Sequence, residues 1–153
     1  MKSFKILSIV FLSFFFISSS FALSKLSDED MSSIKKTIQE FEKNIDTQNA
    51  NDMEKIISTN STFVQVIAVT KKTTEYNSTD YLSALKNRQI GGWERQLDIQ
   101  SIDAAGNTAF AKIQAKDARM TSTGFITLVK ENNNWKIVCA TYYMELNQNS
   151  ASI

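Results

Sequence analysis

Asp117 is the carboxylate whose position is most open to chemical use. It falls in phase with Ala115 and Ile113, so on an extended chain all three share one face. A carboxylate carried into an apolar face is pushed towards its neutral form and can serve as a general base; alternatively, the strand has left the core by that point. Trp93 and Arg95 stand two apart and would share a strand face, where Arg95 could meet an anionic ligand or pair with acids on a neighbouring strand. Tyr142 and Tyr143 must point to opposite faces, so one of them faces inward and its hydroxyl needs a partner. With Thr141 that tyrosine would line a pocket mouth or pack in the core. Cys139, in phase with Trp135, Ile137 and Thr141, reads as a buried structural thiol because no cationic partner is in view.

The chain has no histidine. That removes every histidine-dependent triad, general base and metal ligand at once. No acidic run has the spacing of a calcium loop, so the sequence gives no metal site and no cofactor. The single cysteine, Cys139, leaves no intramolecular disulfide.

These residues need a frame, and the sequence suggests one. Lys2 and Lys5 precede an apolar run from Ile6 to Ile17, and Ser20 and Ala22 stand at the −3 and −1 positions of a cut after Ala22. Residues 1–22 read as a signal peptide, since the run is short for the roughly 20 apolar residues of a membrane span. Removing 22 of 153 residues leaves 131, enough for one domain. Lys2 and Lys5 leave with the signal, so 15 basic residues face 16 acidic ones, net −1. This balance gives no sign of a nucleic-acid partner.

Ser27 to Thr47 is predicted as an amphipathic helix, with Met31, Ile34, Ile38, Phe41 and Ile45 on one face and Ser27 as N-cap. Asn51 and Asp52 would cap a second short helix carrying Met53, Ile56 and Ile57. Phe63 to Thr70 and Thr73 to Tyr76 would form a short hairpin, and a third helix would run from Asp80 to about Gln89, stopped by Gly91-Gly92. From Trp93 the period changes to two. Trp93–Asp103, Thr108–Arg119, Phe125–Lys130 and Trp135–Met144 then make four antiparallel strands joined by tight turns. Helices followed by strands predict an α+β domain, three N-terminal helices on a curved, mainly antiparallel sheet. The domain would span residues 23–146, with a polar tail at 147–153.

Gly92-Trp93-Glu94-Arg95, Ser101-Ile102-Asp103, Gly106-Asn107-Thr108-Ala109, Ile126-Thr127-Leu128-Val129-Lys130 and Trp135-Lys136-Ile137-Val138, in this order and spacing, resemble the nuclear transport factor 2-like (cystatin-like) superfamily. Within it, the chain is similar to the SnoaL-like and "putative lumazine-binding" proteins. The resemblance implies a cone of helices and sheet, and a use that ranges in that superfamily from isomerases and dehydratases to ligand carriers and protein-binding modules. It also implies polar positions that this chain has replaced: Gly124 where relatives often carry Asp, Ala140 where they often carry Lys, and the region of Asn60 where they often carry His.

The expected function is an exported, periplasmic or secreted binding domain for a small apolar or anionic ligand or for a protein, without catalysis. Its pocket would draw on Trp93, Arg95, Thr141, Tyr142 and Tyr143. It would be free of the membrane after signal cleavage and able to pair with a second copy through the sheet. The competing expectation is an isomerase, dehydratase or hydrolase with Asp117 as base. Two glycosylation sequons, Asn60-Ser61-Thr62 and Asn77-Ser78-Thr79, would matter only in a eukaryotic host.

Overall fold

A computed structural model describes residues 26–147. The expected signal peptide and all of the tail beyond Asn147 lie outside the described residues. Helix α1 spans Asp28–Asp46 and begins where the side chain of Ser27 accepts from the Asp30 amide at 3.0 Å. Helix α2 spans Ala50–Ile56 and is capped by Asn49 rather than by Asn51 or Asp52. Gln48 takes a left-handed backbone (φ 54) between the two helices, which sets the cap earlier than the apolar pattern suggested. Helix α3 spans Ser78–Lys86, capped by Asn77. It ends before the expected Gln89 because Arg88 turns left-handed at φ 58.

Six strands follow the order β2-β1-β6-β5-β4-β3 in one sheet. They are β1 (Ile57–Ile67), β2 (Lys72–Asn77), β3 (Gln96–Ala105), β4 (Thr108–Lys116), β5 (Met120–Glu131) and β6 (Asn134–Leu146). The four-strand antiparallel run is as the alternation predicted, and the short hairpin joins it through a parallel β1–β6 pairing. That pairing draws β1 back to Ile57, so its polar start is strand rather than loop.

Two bulges change which side chains face inward. One in β3 at Gln100 keeps Leu97, Ile99, Ile102 and Ala104 on the helix side. The other, at Val138 in β6, puts Trp135 and Ile137 inward but turns Cys139 and Thr141 to the outer face. Cys139 is therefore half-buried and does not share a face with Trp135, contrary to the unbroken alternation.

The core lies between the helices and the inner face of the curved sheet. Ile34, Ile38, Phe41, Tyr81 and Leu85 meet Phe63, Ile113, Ile126, Leu128, Ile137 and Tyr142 there. Phe41, Phe63 and Tyr81 stack, with 4.0 Å between the Phe63 and Tyr81 ring centres. Two polar contacts pin the start of α1 to the sheet: Asp30 accepts from Lys130 Nζ at 2.6 Å and from Trp135 Nε1 at 3.0 Å. The carboxylate suits a positive helix start, and those two partners, with Ser27, hold it below the usual carboxylate range. Trp135 thereby anchors the start of β6 to α1.

Candidate functional site

Ile34, Ile38, Glu42 and Asp46 occupy one i, i+4 row of α1, so an apolar stripe ends in two carboxylates on the inward side. Arg95 reaches both. Its Nε lies 2.5 Å from Asp46 Oδ1, its backbone amide donates to Asp46 Oδ2 at 3.1 Å, and Nη2 lies 3.0 Å from Glu42 Oε2. From the sheet, the Tyr142 hydroxyl donates to Glu42 Oε1 in a short bond.

Arg95 is delivered by the loop that follows α3. Gly91 and Gly92 adopt positive φ, and the Gly92 amide donates to the Ile45 carbonyl at 3.1 Å. Gln48 Nε2 holds the Ile90 carbonyl at 3.0 Å. A Cβ at Gly91 would stand 2.0 Å from the Ile45 carbonyl oxygen, so only glycine lets the loop lie this close to the end of α1. The strand consequently starts at Gln96. Trp93 and Arg95 precede it and do not form the shared strand face expected of them. Trp93 is 53% exposed and lies beneath the Arg119 guanidinium, 5.0 Å from the ring centre, while Arg95 turns inward.

The electrostatics follow from burial. Glu42 is 3% exposed, and burial raises its carboxyl above the ordinary glutamate value against the opposing pull of Arg95 and Tyr142. Burial, with the Glu42 charge second, lifts the Tyr142 hydroxyl well above its usual range, so it stays protonated and donates. Burial works against the charged form of Arg95, but Glu42 and Asp46 outweigh it and keep the guanidinium charged. Glu42 Oε2 is close to Arg95 yet off the line of its N–H bonds. It is paired in charge but has no hydrogen bond, so one buried acceptor is left unused.

Asp117 does not join this cluster. It stands in the β4–β5 turn, where Oδ1 accepts from the amides of Arg119 and Met120, both at 2.7 Å. This is an Asx-type turn, formed where the strand has left the core. Tyr142 is buried, while Tyr143 and Thr141 lie on the outer face, so the five expected pocket residues divide between two surfaces.

Of the three positions at which the resemblance implied other polar residues, Gly124 bears on how the interior is filled. Gly124 faces Tyr142 across the β5–β6 pair, and a Cβ there would come within 2.7 Å of the tyrosine ring and 2.9 Å of Ile113. The tyrosine occupies the room that a side chain at 124 would need. Ala140 is wholly buried, and Asn60 is exposed on β1. What remains beside the cluster is an open cleft of about 430 Å³ between α1 and the start of β3, lined by Glu42, Asp46, Glu94, Arg95 and Leu97 among others.

Glu42 went unnoticed in the sequence because an acidic side chain on a mixed polar and apolar helix reads as solvated. Its four-residue step from Ile38 was the available signal.

The chain belongs to the putative lumazine-binding family, whose profile matches residues 29–143. Solved structures of the same fold include an NTF2-like protein of unknown function from Shewanella baltica OS155, 20% identical over 79% of this chain and 98% of that one, with a TM-score of 0.67. Another, from Methylobacillus flagellatus KT, is 17% identical, covers 79% and 96%, and superposes with a TM-score of 0.68. A cystatin-like fold protein from Burkholderia xenovorans LB400 is 11% identical, covers 77% and 93%, and gives 0.62. At these identities they share a fold with this chain. Among curated proteins nothing matches it.

Proposed function

We propose that this protein is an exported, non-catalytic binding domain that works through its surfaces rather than through an internal pocket, and that two copies pair through the outer face of the sheet. One observation carries the reading. The polar groups at the inner end of the domain are engaged with one another: Arg95 with Glu42 and Asp46, Tyr142 with Glu42. A site built for catalysis would hold such groups free to meet a substrate. The outer face instead carries Phe110, Phe125 and Tyr143 at 59%, 56% and 43% exposure, with threonines and Lys112 among them and Val64 and Val66 beyond Tyr143 on β1. Large apolar side chains left open on neighbouring strands mark an association surface.

Export rests on the N-terminal pattern described above. Native mass spectrometry of protein recovered from the exported compartment tests both parts. The expected species starts at Leu23 and has twice the chain mass, and Phe110→Glu with Phe125→Glu reduces it to a single chain. A wild-type monomer at micromolar concentration would remove the pairing, and an intact N-terminus would remove the cleaved signal.

A second reading has its own support. Glu42 is buried, has its carboxyl raised, and keeps an unused lone pair beside Arg95 and Tyr142, so an isomerase, dehydratase or hydrolase would use Glu42 as its base rather than Asp117. In that case Glu42→Gln abolishes turnover of a substrate that the wild type converts, and Asp117→Asn leaves it intact.

A further inference from the structure

The near-neutral charge of the chain hides a local excess. Lys36 from α1, Lys55 from α2 and Lys136 from β6 line one cleft of about 400 Å³, together with Ser33, Asn133 and Asn134. The residues come from three separate elements, so this is not a charge run in the sequence. Glu40 is the one acidic residue in that lining, and it lies 3.8 Å from Lys36 in an exposed pair. Asp52 pairs with Lys55 at 2.7 Å from the adjoining cleft. The Lys136 ammonium donates to the Lys55 carbonyl in the last turn of α2, which brings its charge to the cleft wall beside Lys55. The Asn132–Asn133 turn, with both residues left-handed, carries the two asparagines to the rim.

With Lys36 paired to Glu40 and Lys55 to Asp52, the three lysines leave a net excess of one positive charge at this concave surface, carried by Lys136, and that excess favours an anion. The neighbouring hydroxyl and amide groups supply donors that suit oxyanion geometry. We infer that this cleft binds a compact multivalent oxyanion of the phosphate or pyrophosphate type. The inference rests on the reading of the chain as a binding domain and names a ligand class for it. It does not involve the outer sheet face.

Amide chemical shifts of the mature protein would be followed during titration with pyrophosphate, and inorganic phosphate would be run in parallel. Saturable shifts are expected at Ser33, Lys36, Asn133 and Asn134, with pyrophosphate binding more tightly and both weakening as salt is added. Lys36→Gln with Lys136→Gln should weaken binding about 10-fold or more, as expected for the loss of two charge-assisted contacts. Lys72→Gln, on the distant edge strand β2, should leave it unchanged. Shifts that never saturate, that scatter over the surface, or that fall equally in the Lys72 variant would overturn the site. Diffusion measured on the same samples reports pairing separately, so a monomer that still saturates with pyrophosphate refutes the dimer alone. A dimer that does not bind refutes the anion site alone.

Discussion

Tyr142 and Tyr143 are adjacent in β6 and meet opposite conditions. Tyr142 is 3% exposed, fills the space opposite Gly124 and bonds a buried carboxylate, while Tyr143 is 43% exposed on the outer face. The same contrast runs along β4 and β5, where Ala111 and Ile126 are buried and Phe110 and Phe125 stand open. The inner face is closed by packing and its charged groups are paired with one another, while the outer face leaves Phe110, Phe125 and Tyr143 open among threonines and Lys112. On the reading proposed above, recognition falls to the open outer face because the inner one is already full.

That contrast can be broken by mutation. The largest effect is expected from Arg95→Met, which leaves Glu42 and Asp46 without their cation and should lower stability by about 3 kcal/mol or more in urea unfolding at neutral pH. Gly91→Ala should cost about 2–3 kcal/mol, because a left-handed backbone and a contact with the Ile45 carbonyl both oppose the added methyl group. Tyr142→Phe removes the donor to Glu42 and should cost about 1–3 kcal/mol. Phe125→Ser, by contrast, should change monomer stability by no more than about 0.5 kcal/mol, the range of ordinary surface substitutions, while weakening self-association in sedimentation.

Acid sharpens the same comparison through two groups of opposite sign. The folded protein raises the Glu42 carboxyl, so the stability linked to its proton is full below the ordinary glutamate range and is lost as pH rises through the raised value. It lowers the Asp30 carboxyl, so that contribution is present above the ordinary aspartate range and is lost as pH falls through the lowered value. The deficit of Arg95→Met should therefore shrink on acidification as Glu42 takes up a proton. Melting temperatures of wild type and variant, compared at neutral pH and at successively lower pH, would register it.

Much of the fold was legible in the sequence. The stripe of Ile34, Ile38, Phe41 and Ile45 and the alternation from Leu97 onward located α1 and the meander, because period alone determines which face is buried. The site was less legible. Phase assumes an unbroken strand, and the bulge at Val138 turned Cys139 and Thr141 outward without any mark in composition. Asp117 kept its apolar phase into a turn that the pattern does not announce. Arg95 was read as meeting an anionic ligand or acids on a neighbouring strand, and the structure pairs it with Glu42 and Asp46 of α1 instead. Its partners, however, lie 49 and 53 residues earlier, and a pairing at that distance becomes visible only after the Gly91 loop has folded onto α1.

A double-mutant cycle between Arg95→Met and Glu42→Gln, read by equilibrium unfolding, measures most directly whether these groups are held for each other. The account predicts a severe loss for Arg95→Met alone, a mild effect of Glu42→Gln alone, and recovery of more than half of the loss when the two are combined. If Arg95→Met were nearly neutral, or if adding Glu42→Gln recovered nothing, the guanidinium and the carboxylate would be free groups, and the inner end of the domain would again be the place to look for a ligand.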